Sequence, residues 1–225
     1  MEEIIKNNLK SVFNDIENGN NLGEKITLVG ASKFVDEETI KLALKHGLKI
    51  LGDNKVQEFR DKTSKIEGAE YHFIGTLQKN KVKYLIGRVS LIHSVDSISL
   101  AQEISKQSVK NNVTTNILLE VNLGEENKGG FPYLEAKSAV KEISEMENIR
   151  VLGLMAMLPD VKDEKILASL CLQMRQLYDI LVSDGYEFKH LSIGMSGDYK
   201  IAIKNGSNMI RLGTILFGKR NYDIN

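Results

Sequence analysis

The sequence has little cysteine, proline or tryptophan and no excess of either charge. Its 225 residues include one cysteine, two prolines and no tryptophan, and 30 basic residues balance 30 acidic ones. The single cysteine, Cys171, excludes an internal disulfide and is typical of a reducing compartment, so we expect a cytoplasmic protein. The balanced charge provides no electrostatic argument for nucleic acid or an anionic membrane as a partner.

Long hydrophobic runs, targeting segments and linkers are also missing. The first twenty residues are acidic and amphipathic, unlike a secretory signal, and no apolar run is long enough to cross a bilayer. We therefore expect residues 1–225 to form a single soluble domain. His46, His93 and His190 lack the spacing of metal ligands, and we predict no metal site.

Short apolar runs alternate along the chain with amphipathic stretches. The stretches have apolar residues at helical spacing, as in DEETIKLALKHG and EKILASLCLQMRQLYDILVSDG. The apolar runs lie near residues 26–32, 48–52, 71–75, 90–95, 116–123, 151–156, 190–194 and 208–212. Such alternation indicates parallel strands with helical crossovers, and eight strands favour a closed (β/α)8 barrel of the TIM type. The alternative, an open doubly wound sheet, lacks its usual G-x-G-x-x-G after the first strand.

An additional helical pattern, at about residues 2–18, precedes the first strand. Little chain follows the eighth strand, so an eighth crossover helix has little room. We therefore expect the extra N-terminal helix to cover the gap between the eighth and first strands.

The stretch 190–218 carries the strongest local signal. Two short strands, HLSIGM and NMIRLG, lead into turns that pair glycine with a hydroxyl residue, Ser196-Gly197 and Gly213-Thr214. Free N–H groups and a hydroxyl at such a turn suit a phosphate. Two such turns after the last two strands of a barrel predict a phosphate site. Each glycine taken singly is explained equally well by helix–strand packing.

Lys33 ends the first strand, ITLVGASK. Period-two alternation places Thr27, Val29, Ala31 and Lys33 on one face, so Lys33 should reach the C-terminal mouth of the barrel, where the chemistry of this fold lies. The strand alone is explained more simply by a lysine that extends into solvent. Combined with the phosphate-type turns, the lysine indicates a nucleophile for a phosphorylated aldehyde, and pyridoxal phosphate fits that description.

Arg211 alternates with Ile210 and Leu212, so it should face the barrel interior or its mouth. A guanidinium only donates hydrogen bonds, so opposite a pyridine nitrogen it would keep that nitrogen unprotonated. The ring would then be a weaker electron sink. An arginine paired with a nearby acid is the alternative.

These residues lie in motifs that resemble the pyridoxal-phosphate homeostasis proteins, a family related to the N-terminal barrel of bacterial alanine racemase. The resemblance covers nearly the full length, through LVGASK, ILGDNKVQEF, YHFIGTLQKNK, IHSVDS, VNLGEENKGG, VLGLMAM, LSIGMSGDY and MIRLGTILFGKRNY. It implies that Lys33 forms the internal aldimine with pyridoxal 5'-phosphate. The other implied cofactor-binding residues are Asn54 beside the ring, Ser196, Gly213 and Thr214 at the phosphate, Arg211 at the pyridine nitrogen, and His72 and Met195 near the pocket.

Three positions depart from the family pattern. Asp53 stands where the family has glutamate, Thr76 where it has proline, and Gly197 where an acidic residue usually follows the serine. Asn54 is retained, and the turn at residues 75–78 lacks any rigidity that the proline would add. The Ser196 hydroxyl is also retained, so the implied phosphate site remains.

The resemblance implies a cofactor carrier rather than an efficient enzyme. In the resembled racemase the second base is a tyrosine from an additional β-domain. This sequence ends at Asn225, and Tyr222, near that end, is more typical of a packing residue. We therefore expect a protein that buffers or delivers pyridoxal phosphate, with apo forms of enzymes that use this cofactor as protein partners, and a monomer or weak homodimer.

Two other functions stay open at this point. One is a racemase or related enzyme of weak activity that uses pyridoxal phosphate. The other is a barrel enzyme that uses Lys33 on a sugar phosphate. The basic run with Lys79, Lys81 and Lys83 is interpreted as a solvated helix face.

Overall fold

A closed ring of eight parallel strands forms the centre of the molecule, which confirms the predicted (β/α)8 barrel. The computed structural model describes residues 1–126 and 128–218. The ring runs β1-β2-β3-β4-β5-β7-β8-β9 and closes where β9 pairs with β1. Its members are β1 (Thr27–Ala31), β2 (Ile50–Asp53), β3 (Glu70–Phe73), β4 (Leu91–Val95), β5 (Thr115–Asn122), β7 (Ile149–Ala156), β8 (His190–Ser192) and β9 (Met209–Leu212). A two-residue strand that the sequence did not predict, β6 (Phe131–Pro132), pairs with β5 outside the ring.

Helices follow most of the strands and cover the outside of the barrel. They are α1 (Glu2–Ile16), α2 (Glu37–Lys45), α3 (Val56–Thr63), α4 (Ile98–Lys110), α5 (Ala136–Ser144), α6 (Glu164–Ser183), α7 (Tyr199–Lys204) and α8 (Thr214–Phe217), with 3-10 turns at 79–84 and 133–135. Side-chain caps mark several starts: Asp36 accepts a hydrogen bond from the Thr39 amide at 2.8 Å, and Ser97 accepts one from the Leu100 amide at 3.3 Å.

The alternation of side chains along the strands separates the interior of the barrel from the layer under the helices. Val29 belongs to the interior cluster, whereas Ile26 and Leu28 pack in the larger cluster between strands and helices. Interior residues from the other strands are Leu91, Leu118, Leu152, Met155 and Met209. The predicted phase of β1 is therefore confirmed. Cys171 is fully buried on α6, and burial raises the pKa of its thiol to about 12.

Helix α1 covers the gap between the last and first strands of the ring, as predicted. It contacts α8 through a hydrogen bond from the Asn8 amide to the Leu216 carbonyl at 3.1 Å. On its other side an ion pair of 2.8 Å joins Glu2 to Lys45 of α2. Tyr199 of α7 donates to Asp15 at 2.6 Å and secures the end of the helix. Among the described residues, none of the helices has both the length and the apolar character that a membrane span requires.

Candidate functional site

A cavity of about 340 Å³ lies at the carboxyl ends of the barrel strands. It brings together every sequence-predicted site residue except His72. Its lining is Ala31, Lys33, Asn54, Ile74, Met157, Met195, Ser196, Gly197, Arg211, Gly213 and Thr214. Parallel strands of a barrel end at one face, and loop residues from distant parts of the sequence therefore meet there.

Lys33 follows β1 and is half-buried at the cavity. Its Nζ lies 4.8 Å from the centroid of the Phe34 ring, and Lys55 Nζ lies 5.0 Å from the same centroid. Within the part of the chain that the structure describes, the Lys33 amine has no hydrogen-bond acceptor and no carboxylate partner. Phe34 has a φ of 61°, a left-handed conformation that is rare for so bulky a residue and turns the chain sharply after the lysine.

A buried polar network surrounds Ser32, the residue before Lys33. The Lys62 ammonium donates to the Ser32 carbonyl at 2.6 Å and to Asp53 Oδ1 at 2.8 Å, and the Ser32 hydroxyl donates to the same oxygen at 2.9 Å. These bonds tie the end of β1 to the end of β2, one residue before Lys33 and one before Asn54. The sequence prediction missed Lys62, although its spacing of three residues from buried Phe59 places both on one face of α3.

Asn54 is held by a close backbone approach from the next strand. A Cβ atom at Gly75 would lie 2.2 Å from the Asn54 carbonyl oxygen, so only glycine fits there. The glycine of the G-T-L-Q motif therefore serves to bring the exit of β3 against the residue that lines the cavity.

The two glycine–hydroxyl turns after β8 and β9 are neighbours in space. The Ile215 amide donates to the Ser196 hydroxyl at 3.4 Å and links them. The backbone N–H groups of Ser196 and Gly197 have no acceptor among the described residues. A Cβ atom at Gly197 would meet nothing within 4 Å, so packing does not explain this glycine. Unpaired amides beside two hydroxyls are suited to an anion.

Arg211 is buried, with 5% of its surface exposed, and its guanidinium is held by neutral acceptors. It donates to the Ser192 carbonyl at 2.8 Å, to the Ser192 hydroxyl at 2.6 Å and to the Ala156 carbonyl at 3.1 Å. Burial lowers the pKa of Arg211 to about 10. The alternative of a direct acid partner does not hold, since Glu120 and Asp198 act on it only through longer-range charge. The pKa of Glu120 is itself raised to about 6 by burial.

His72 lies in the barrel interior but does not line the cavity. Its ring nitrogens contact His93 at 2.9 Å and Glu70 at 3.2 Å. The cavity is lined instead by Ile74, two residues further along the chain. Inward-facing residues two positions apart on a tilted strand lie at different depths. Alternation therefore predicted the correct face for His72 but not its depth, and a contact with a bound group remains a prediction.

Other sequence features lie away from the cavity or outside the described residues. The basic run with Lys79, Lys81 and Lys83 forms an exposed 3-10 turn. Tyr222 and the end of the last motif fall outside the described residues. Among residues 1–126 and 128–218, no group of three histidine, cysteine or acidic side chains could hold a metal ion.

The cavity thus joins three kinds of chemistry. The Lys33 amine is available to a carbonyl compound, the two turns are available to an anion, and Arg211 faces the same space with a guanidinium that can only donate. A small anionic aldehyde with a hydrogen-bond acceptor in its ring would use all three.

Comparison with known proteins gives consistent matches. A family model described as "Alanine racemase, N-terminal domain" matches residues 31–221. The pyridoxal phosphate homeostasis protein of Aquifex aeolicus (strain VF5) is 44% identical over 199 residues, which are 87% of each chain. The protein of the same name from Escherichia coli (strain K12) is 32% identical over 206 residues, 88% of each chain. The structure of PipY from Synechococcus elongatus PCC7942 with PLP bound is 26% identical and has a TM-score of 0.86, covering 95% of this chain and 100% of that chain.

Proposed function

Because this chain belongs to the family of pyridoxal phosphate homeostasis proteins, whose barrel is the alanine racemase N-terminal domain, we propose that it binds pyridoxal 5'-phosphate and acts in the homeostasis of this cofactor. The amine of Lys33 holds the cofactor covalently. The proposal is supported by one observation: the Lys33 amine, which has no acceptor among the described residues, lies in the same cavity as the two glycine–hydroxyl turns.

The described residues fit the cofactor in each of its parts. Lys33 would hold the aldehyde group through its amine; condensation of an amine with an aldehyde releases water and would need no oxidant or reductant. Ser196, Gly197 and Thr214 supply hydroxyls and amides for the phosphate. Arg211 supplies an N–H donor for the ring nitrogen. Bound pyridoxal phosphate supplies an aldehyde and an electron-accepting ring.

The same lining supports storage of the cofactor rather than efficient turnover. Racemisation requires a base on each face of the substrate. Among the described residues that line the cavity, Lys33 is the one side chain suited to act as a base. Arg211 also favours an unprotonated ring nitrogen, which weakens the stabilisation of a carbanion.

Borohydride reduction of the purified protein with pyridoxal phosphate tests the covalent link. We expect a reduced, stable adduct on the peptide that contains Lys33, seen by mass mapping. Lys33→Ala should abolish the adduct and the yellow colour. Lys55→Ala is the matched control because its ammonium contacts the same Phe34 ring at nearly the same distance. An adduct on another lysine, or undiminished colour in Lys33→Ala, would contradict the proposal.

Deuterium exchange separates a carrier from a racemase. The loaded protein is incubated with L-amino acids in deuterated water, and the α-position is followed by NMR. We expect no exchange beyond that of free pyridoxal phosphate at the same concentration. Rapid exchange that depends on Lys33 would instead establish an enzyme.

Delivery to recipient proteins is the finer part of the proposal. Apo forms of enzymes that use pyridoxal phosphate are the expected partners in the cytoplasm, and the protein acts as a monomer or weak homodimer. We expect the loaded protein to restore an apo enzyme in the presence of a phosphatase that destroys free cofactor. Restoration no better than with free pyridoxal phosphate would argue against delivery.

A further inference from the structure

A line of hydrogen-bonded side chains crosses the barrel interior from the cavity toward its opposite end. The Arg211 guanidinium contacts the Ser192 hydroxyl at 2.6 Å, and that hydroxyl contacts His93 Nδ1 at 3.2 Å. His93 Nε2 contacts His72 Nδ1 at 2.9 Å, and His72 Nε2 contacts Glu70 at 3.2 Å. These contacts join residues from four strands, β9, β8, β4 and β3.

With a neutral imidazole at each of the two central positions, the two ends of the line fix the direction of every bond in it. A guanidinium only donates, and an ionised carboxylate only accepts. Glu70 is about half exposed, and the hydrogen bond from His72 lowers its pKa, so it is ionised at neutral pH. A proton therefore lies on Nε2 of each imidazole, the Ser192 hydroxyl donates to His93, and all donors point from Arg211 toward Glu70.

We propose that Ser192, His93 and His72 are positioning residues that hold the Arg211 guanidinium in place beneath the cavity through this one-directional line. The part that concerns the bound cofactor rests on the proposed function. The orientation of Arg211 and the protonation of the two rings do not depend on it.

The surroundings explain why such a line is needed. Arg211 is buried and forms no ion pair with a carboxylate in the described part of the chain. A buried charge without a counterion is costly unless strong acceptors surround it. Each bond in the line polarises the next, so the Ser192 hydroxyl becomes a better acceptor for the guanidinium. The negative end of this polarised line is Glu70.

The neutral state of the central imidazole agrees with this arrangement. His93 is fully buried, and burial lowers its pKa well below the usual value, with further lowering from His72 and Arg211. A doubly protonated His93 would have no lone pair for the Ser192 hydroxyl and would break the line at its centre.

NMR of the apo protein labelled with nitrogen-15 in histidine tests the line without any cofactor. The chain has four histidines, so the ring signals can be assigned. At pH 7 we expect His93 to be neutral with its proton on Nε2, and we expect Nε2 of His72 to carry a proton directed at Glu70. A proton on Nδ1 of His93, which a line running in the opposite direction requires, would overturn the proposal. This measurement needs no variant and so does not depend on whether a variant folds.

Ser192→Ala tests the connection to Arg211, with Ser108→Ala as the matched control. Ser108 is also fully buried, and its hydroxyl is hydrogen-bonded to the Thr115 hydroxyl at 2.6 Å. We expect Ser192→Ala to shift the His93 Nδ1 signal and to speed hydrogen exchange of the Arg211 guanidinium about threefold to tenfold, the effect of losing one hydrogen bond. Ser108→Ala should change neither. Equal behaviour of the two variants would overturn the proposal.

A second measurement extends the test to the bound state. With pyridoxal phosphate, we expect Ser192→Ala to weaken cofactor binding about threefold to tenfold and to change the absorption of the bound cofactor, because the donor at the ring nitrogen is less well oriented. Unaltered affinity and spectrum would overturn the link to the cavity. If the wild-type protein binds no cofactor, the proposed function fails. The apo measurements still test whether the line of hydrogen bonds runs in the proposed direction and orients Arg211.

Discussion

Two lysines next to Ser32, its sequence neighbour Lys33 and its hydrogen-bond partner Lys62, place the same ammonium group in different surroundings. Lys62 is nearly buried and donates to the Ser32 carbonyl, the Ser32 hydroxyl and Asp53, at 2.6, 3.3 and 2.8 Å. Lys33 is half-buried and faces the cavity; its amine lies 4.8 Å from the centroid of the Phe34 ring and has no hydrogen-bond acceptor among the described residues. Lys62 therefore stabilises the ends of β1 and β2, and the Lys33 amine, which has no acceptor among the described residues, is available for chemistry.

The contrast extends to the regions around the two lysines. Behind and beneath the cavity, polar groups are paired with each other, from the Lys62 network to the line that ends at Glu70. At the cavity, the amides of Ser196 and Gly197 and the amine of Lys33 lack acceptors among the described residues. Buried polar groups need hydrogen-bond partners within the protein, whereas a polar group that faces a cavity can take a ligand as its partner. Donors without a partner among the described residues therefore lie at the proposed binding region, and paired donors stabilise the structure around it.

Removing the paired lysine should have the largest effect on stability. Lys62→Met leaves the Asp53 carboxylate buried without its counterion, and we expect the free energy of unfolding to fall by about 3–5 kcal/mol. Urea denaturation measures this loss. The cofactor adduct on Lys33 should still form in the folded fraction. Lys65→Met is the control, since its ion pair with Glu37 at 2.6 Å is exposed, and it should cost much less.

A double variant sharpens the interpretation of that loss. Lys62→Met combined with Asp53→Asn removes both charges, so it should be more stable than Lys62→Met alone. If the double variant loses as much free energy of unfolding as the two single variants together, Lys62 and Asp53 are not coupled. The contrast between a paired Lys62 and an available Lys33 would then not hold.

Lowering the pH should reduce the free energy of unfolding by an amount between those of the other predictions. Burial lowers the pKa of His190 to about 4 and that of His93 well below its usual value. The unfolded chain therefore binds more protons than the folded chain below about pH 6.5, and stability is complete above that pH and lost as pH falls. Each imidazole contributes a loss of about 1.4 kcal/mol per pH unit in this range.

Urea denaturation between pH 7.5 and 5 measures this slope. Glu120, with its pKa raised to about 6, opposes the trend below that pH, but one carboxyl group does not cancel two imidazoles. His190→Asn should remove about half of the histidine contribution. A stability that stays constant from pH 7.5 to 5 would show that the interior accommodates charged imidazoles.

The parts of the site that follow strand alternation were predictable from sequence. A strand has a fixed side-chain period of two, so the phase of Val29 determined the direction of Lys33, and the phase of Ile210 determined that of Arg211. Both outcomes are confirmed by the cluster that contains Val29 and by the contacts of Arg211 with Ser192. The order of strands followed from their number, because a parallel ring of eight has one simple arrangement.

The paired support could not be predicted in the same way. The burial of Lys62 depends on its contact with Asp53 and Ser32, which lie on other elements, and α3 is too polar to show a clear apolar face. The depth of His72 depends on how the strands tilt and slide past each other when the barrel closes. Strand β6 is too short to leave a periodic pattern. Each of these features is determined by tertiary contacts rather than by local sequence.

The smallest effect on stability should come from Lys33, the residue that we propose to hold the cofactor. Lys33→Ala removes an amine that has no acceptor among the described residues, together with its contact with the Phe34 ring at 4.8 Å. We therefore expect the free energy of unfolding of the apo protein to change by less than about 1 kcal/mol. Lys55→Ala, which removes the equivalent contact at 5.0 Å, should change it by a similar amount. Urea denaturation of both apo variants provides the comparison. Removing an amine that interacts mainly with a ligand should change the stability of the apo protein little. A loss of about 2 kcal/mol or more in Lys33→Ala alone would therefore mean that Lys33, like Lys62, stabilises the fold.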